Sequence, residues 1–425
     1  MKIAIVGTGI SGLTAIHYLS KNHEVDAYEA KSHPGGHANT IDIMDEGNPL
    51  ALDTGFIVFN DRTYPNFIRL LNELGVKYQP SSMSFGIKHE PSGLEYRGAD
   101  WGGLFAQRRR ILSPRHLRLL YEIYRFNKTA GRLRKNLSHE MTIREFFAEN
   151  QFRSDLLEYF FLPMGAAIWS TSCDNFLGYP IRFVLDFYFH HGLLNIRDRP
   201  QWFTVSEGSR TYVNALIQEA SAQFFMDTPV TAIKRRQEGG AELILPKGEK
   251  IGYDHVIIAT HSNQALKLVA NPTSLEREIL ETFRYEPNIA TVHTDSSILP
   301  KNQRAWASWN YLLEKNVQPK ASVTYWMNRL QSLDATQPYL VTLNAQHRID
   351  PTKIIQTIEY HHPQFDERTF RASGRHNELI NHDGISYCGA YWGAGFHEDG
   401  VRSSLKVVNQ LFPDCNLSVL GEGYA

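Results

Sequence analysis

At 425 residues the chain exceeds the size at which one hydrophobic core keeps growing, so two domains are expected. Lys+Arg 44 against Asp+Glu 45 leaves no global field to gather nucleic acid, and 42% hydrophobic residues exclude a disordered chain. Cys173, Cys388 and Cys415 lie too far apart for a disulfide framework or a metal-ligand spacing and fit a reducing compartment.

Only Lys2 precedes the first apolar run, and no small-residue cleavage site follows it. Nowhere do about 18 apolar residues run together, the minimum for a spanning helix. The expectation is a cytoplasmic protein, soluble or peripheral to the inner face of the membrane. Lys2 to Val6 predicts a buried parallel strand, and Leu13, Ala15, Ile16 and Leu19 open a helical pattern directly behind it. Gly7-Thr8-Gly9-Ile10-Ser11-Gly12 therefore occupies a strand-to-helix turn. There the first glycine permits the bend, the second admits a pyrophosphate to the backbone, and the third lets helix and strand pack. Unpaired N–H groups at the helix start hold the anion. A second strand, "EVDAYEA", ends in Glu29, placed to accept both hydroxyls of an adenosine ribose. Gly35 and Gly36 let a second loop pass close to the same diphosphate.

Further on, "QRRRILSPRHLRLLYEIYRFNKTAGRLRK" in 107–135 predicts a basic amphipathic helix with Leu117, Leu120, Tyr121 and Tyr124 on its oily face. Such a helix suits an anionic membrane surface, or else packs its oily face on its own domain. Aromatic-rich runs such as "LLEYFFLPMGAAIWS" and "FLGYPIRFVLDFYFHHGLL" would serve a core and also a lipid-like substrate. Ser209 is a candidate N-cap, and Val256 to Ala259 a buried strand. Tyr387 to Ala390 reads as the end of a strand. Val401, Leu405, Val408 and Leu411 then give a helical stripe beginning near Asp399, so a second glycine-rich turn feeds a helix. His397, Glu398 and Phe396 at that turn are the catalytic candidates, with His190 or His191 able to move a proton from the other side.

The run "IVGTGISGL...YEAKSHPGGH" resembles the extended FAD fingerprint of the flavin-containing amine oxidase, protoporphyrinogen oxidase and phytoene desaturase superfamily. The resemblance implies an α/β fold. A Rossmann-like FAD-binding domain with a mixed parallel sheet would be assembled from 1–85, 205–285 and 380–425, and an inserted α+β substrate domain from 86–204 and 286–379. It implies noncovalent FAD, since the amine oxidase attachment motif is absent around Cys388. Contacts are expected from Gly7, Gly9, Ile10, Ser11, Gly12, Glu29, Ala30, Gly35, Gly36 and His37, the last standing where the family usually carries Arg. Thr54, Gly55 and Phe56 resemble the turn that approaches the flavin, with Asp53 fixing it. Val230 resembles the residue that offers its backbone to the adenine, and Ala259 marks the return to the FAD domain. Gly389, Gly395, Asp399, Gly400 and Val401 resemble the closing turn, whose helix start points at flavin N1 and the C2 carbonyl. Phe396 replaces a cage tyrosine and Ala390 an acid.

More narrowly, "GGHANT", "LDTGFIVFN", "YWMNRLQ" and "CGAYWGAGFHEDGV" resemble a bacterial subgroup of predicted FAD/NAD-binding oxidoreductases that accompany cyclopropane fatty acid synthase-like methyltransferases. That implies desaturation or dehydrogenation of an unsaturated or methyl-modified fatty acyl chain by hydride transfer to flavin N5. The alternatives are a non-redox flavin isomerase and a flavin-bearing protein that presents lipid to a fatty-acyl methyltransferase.

Overall fold

The computed structural model describes residues 1–98, 100–195, 198–314, 322–415 and 417–421. Five strands, β1 (Lys2–Val6), β2 (Glu24–Tyr28), β3 (Ala222–Phe225), β4 (His255–Ile258) and β5 (Ile385–Tyr387), form a parallel sheet in the order β3-β2-β1-β4-β5. Its central strands are almost wholly apolar because both faces are covered. Ile3 and Ile5 face one side with Leu13, Ile16, Tyr212, Leu405 and Val408, while Ala4 and Val6 face the other with Ile233, Leu243 and Val256. The second set includes an antiparallel meander, Ala232–Arg235, Ala241–Ile244 and Lys250–Tyr253, that links β3 to β4.

Five helices matter to the site: α1 (Ile10–Leu19), α2 (Pro65–Glu73), α3 (Pro114–Leu133), α4 (Arg210–Glu219) and α5 (His397–Leu411). Helix α1 is buried along its whole length, and α5 lies across it. A separate seven-stranded sheet takes strands from 85–97 and 284–364. It is antiparallel except where Trp309–Leu313 runs beside Phe85–His89. Strand Arg284–His293 thus spans the position where the sequence suggests a boundary. Helices between 114 and 190 pack around an aromatic core of Phe126, Phe146, Phe161, Phe176, Phe183 and Tyr188.

Two local expectations change, and α3 decides between two alternatives. Strand β5 ends at Tyr387, and α5 starts at His397, two residues before Asp399. Ser209 does precede α4, but its hydroxyl makes no cap bond and instead donates to Asp53. In α3 the buried residues are His116, Leu119, Glu122, Phe126 and Ala130, because Phe126 docks into the aromatic core; Leu117, Tyr121 and Tyr124 point outward.

Candidate active site

The turn between β1 and α1 is tied down by the Gly7 N–H, which donates to Tyr28 O at 2.8 Å. Gly7 has φ +100, a left-handed conformation that L side chains rarely adopt. A Cβ on Gly12 would overlap the Gly7 carbonyl oxygen, so the third glycine is required for helix and strand to meet. Gly9 is different: a Cβ there meets nothing within 4 Å, so this turn borders open space. No side chain caps α1 and no acid lies in its first turn, which leaves the helix-start N–H groups available to an anion. Ile10 and Ser11 are themselves buried beneath.

The second loop arrives as expected. The Gly35 N–H donates to Thr8 O at 2.9 Å, and a Cβ on Gly36 would sit 3.2 Å from the Gly9 Cα. Glu29, at the end of β2, accepts from the Thr8 N–H at 3.0 Å, the Thr8 hydroxyl at 2.6 Å and the Lys31 N–H at 3.1 Å. Ala30 beside it is exposed. The chain after β3 runs alongside, with the Thr228 N–H donating to Glu29 O at 2.8 Å, and leads to Val230, which is buried against Ile233 and Leu243. Ala259 follows β4 and packs its carbonyl against Gly7.

A third segment closes over these loops. The Phe56 N–H donates to His37 O at 2.8 Å, and a Cβ on Gly55 would strike that same carbonyl. Thr54 bonds through its hydroxyl to Asn39 O and to Tyr360 OH, at 2.9 and 2.7 Å. Asp53 accepts from Thr40, from Gln331 and from the N–H and hydroxyl of Ser209. Burial pushes its carboxyl up to about 6, and four donor groups from three residues mark it as the brace of this turn.

His37 is packed among rings: Tyr360 at 5.0 Å, His362 at 5.6 Å and His261 at 5.7 Å. Loss of water pushes His37 down to about 4 and both His261 and His362 to about 3. The histidine in place of the family arginine is thus neutral in this setting. His261, His362 and Tyr360 escape sequence reasoning because they come from segments that only folding brings to residue 37.

The closing segment meets the first turn directly. A Cβ on Gly400 would lie 2.8 Å from Ile10 Cγ2 and 2.9 Å from Ser11 Oγ, and Val401 is buried in the same core. Upstream, the Gly389 N–H donates to Ser403 Oγ at 2.9 Å, and Gly395 takes φ +90. Asp399 turns its carboxylate back onto the loop, accepting the Ala394 and Phe396 N–H groups at 3.0 Å each. Its side chain shapes the turn instead of facing a ligand.

Two catalytic candidates are engaged by their surroundings. His397 stacks on Phe56 with ring centroids 3.6 Å apart and pairs its Nε2 with Tyr212 OH at 2.7 Å; burial holds its pKa well below the usual value. Glu398 accepts the N–H groups of Asn66 and Phe67 at the start of α2, at 3.1 and 2.9 Å. Both hold helices in place. His191 is committed too, with its ring on Phe187 and its nitrogens on Phe187 O and Thr63 Oγ1, while His190 is exposed.

Phe396 stacks on Phe187 at 4.9 Å and stands at the edge of the aromatic core. Beside it lies a second apolar cluster that includes Ile57, Val58, Ala166, Tyr325 and Tyr360. A cleft of about 270 Å³ bordered by Tyr179, Arg284, Tyr285, Gln364 and Phe365 and a larger one of about 420 Å³ both border none of the candidate residues. Cys388 is fully buried and its thiol is pushed up to about 12.

The comparisons agree with this geometry. The family model for flavin containing amine oxidoreductase matches residues 10–330, more than half of the chain. The fold is similar to that of a putrescine oxidase bound to putrescine, with TM-score 0.70 and 14% identity over 97% of this chain and 99% of that one. It is also similar to a fatty acid isomerase from P. acnes that produces CLA, with TM-score 0.68 and 15% identity over 97% and 98%. A zeta-carotene desaturase of Solanum lycopersicum is 36% identical over 78 residues, a match that spans 18% of this chain and 13% of the desaturase. The open space at Gly9, the close approach of Gly36 and the uncapped α1 suit the FAD of such proteins. The chain belongs to the flavin-containing amine oxidoreductase family.

Proposed function

We propose that the protein dehydrogenates or desaturates a hydrophobic substrate of the fatty acyl type. The parallel sheet with its glycine loops serves as the FAD domain, and the seven-stranded sheet with the aromatic helices as the substrate domain. The observation that carries the reading is the aromatic and aliphatic make-up of the two clusters, beside which three polar side chains are already bonded within the protein. Tyr360 serves Thr54 and Asn39, His191 serves Thr63, and His397 serves Tyr212. Such a wall recognises a substrate by apolar surface. Phe396, in place of a cage tyrosine, takes away a feature expected for amine oxidation.

Glu29 and the Val230 segment would hold the adenosine end, and the Gly9 and Gly36 backbone with the start of α1 the diphosphate. Residues 54–56 and the start of α5 would border the flavin ring. When bound, FAD supplies a hydride acceptor, and its binding here is noncovalent because the Cys388 thiol lies in the core. Phe396 and Phe187 orient the chain and exclude water. Asp53 and Asp399 fix the two turns, so that orientation is set before substrate arrives.

The test is anaerobic incubation of the holoprotein with unsaturated and cyclopropane fatty acids. Bleaching of the visible flavin band, with a product two hydrogens lighter, supports the reading. Product formed only by prereduced protein, without net electron consumption, would indicate isomerisation instead. Binding with neither outcome would indicate a lipid-presenting role. Either result overturns desaturation.

A further inference from the structure

Among the described residues eleven large hydrophobic side chains are exposed, and six of them fall between 101 and 124: Trp101, Ile111, Leu112, Leu117, Tyr121 and Tyr124. Leu112 is 87% exposed and Trp101 77%. Leu117, Tyr121 and Tyr124 follow one another at spacings of four and three, so they form one outward stripe of α3. Trp101 joins them at the N-terminal end, stacked on Phe105, which in turn meets His116 of α3.

The charge on this face has one sign. Residues 107–135 hold ten Lys and Arg against a single acid, Glu122, which is buried and bonded to Arg125 at 3.0 Å. Arg115 pairs with Asp155 and Arg134 with Asp186. Among the described residues, no acidic partner is found for Arg108, Arg109, Arg118, Lys128, Arg132 or Lys135. The opposite face of α3 is anchored, since Phe126 lies in the aromatic core that also holds Phe187 and borders Phe396. The outward stripe is therefore free to meet a partner while the inner one is fixed to the domain proposed to hold substrate.

Exposed Trp, Tyr and Leu side chains flanked by unpaired cations complement the interface of a negatively charged bilayer. There the rings sit at headgroup depth and the cations meet lipid phosphates. We propose that residues 101–135 dock the protein on an anionic lipid surface. This goes beyond the reaction proposed above and stands independently of it, because docking is read without turnover.

The experiment is sedimentation of the full-length holoprotein with vesicles of phosphatidylcholine alone or mixed with phosphatidylglycerol. The protein is expected to bind the mixed vesicles and to leave them as salt shortens the screening length from about 10 Å at 0.1 M to about 3 Å at 1 M. Arg118→Gln and Lys128→Gln are each expected to lower partitioning about fivefold. Leu112→Ser with Tyr121→Ser should lower it further while thermal stability and bound flavin stay unchanged. Failure to bind mixed vesicles, or binding indifferent to all four substitutions, overturns the proposal. So does equally tight binding to soluble polyglutamate that ignores Leu112→Ser, an outcome that would point to an acidic protein instead.

Discussion

The imidazole of His397 lies flat on the ring of Phe56, their centroids 3.6 Å apart and their planes within 6° of parallel. The first residue of α5 is thereby bound to the turn that follows Asp53, and the next residue, Glu398, ties the same helix to α2. Three chain segments meet here.

Glu398→Ala removes the acceptor of two backbone N–H groups; burial pushes its carboxyl up to about 7, and each buried donor left without a partner costs about 1–3 kcal/mol. The variant is expected to melt at a lower temperature yet to keep its turnover per bound flavin. Loss of turnover with an unchanged Tm would restore Glu398 as a chemical group.

Glu29→Ala deletes a carboxylate held ready by Thr8 and Lys31. Loss of one charge-assisted bond to the ribose weakens FAD about tenfold to a hundredfold. Titration of apoprotein by flavin fluorescence measures this, and an unchanged Kd would place the adenosine elsewhere.

Acid should destabilise the apoprotein. His37, His261 and His362 stand at about 4, 3 and 3 because burial opposes their charge, against 6.5 in the unfolded chain. Below 6.5 the unfolded chain takes up protons that the folded chain refuses. The stability these rings contribute is therefore full above about 6.5 and drains away as pH falls toward 4. His362→Asn should flatten the slope of Tm against pH in that window. An unchanged slope would mean that the cluster does not resist protonation.

Flavin should leave the protein on denaturation. Cys388 is buried with its thiol pushed up to about 12, a poor nucleophile, so acid precipitation is expected to release all of the colour. Colour retained in the pellet would show a covalent bond.

The first glycine turn, Glu29 and the second glycine loop were legible because their chemistry is local: spacing alone puts Gly12 against Gly7 and Gly36 near Gly9. The partners of the catalytic candidates were not legible for the opposite reason. Glu398 reads as a buried acid beside a turn until Asn66 and Phe67, more than 300 residues away, supply its donors. His37 reads only as a histidine standing where the family usually carries Arg, until folding crowds it with His261 and His362. In α3 the helical period is legible, but the choice between an outward and a packed oily face is not, because it is set by Phe126 reaching the aromatic core while Leu117 and Tyr121 stay exposed. The seven-stranded sheet was invisible, since its partners lie as far apart as Phe85 and Trp309.

The central claim is that residues 7–12 and the start of α5 enclose one flavin nucleotide, and Gly400 is where they touch. FAD titration of wild-type and Gly400→Val apoprotein tests it. One FAD per wild-type chain is predicted, with binding lost in the variant, whose side chain would press on Ile10 and Ser11 at a cost of about 1–3 kcal/mol. Equal binding by both proteins, or none by the wild type, would contradict it.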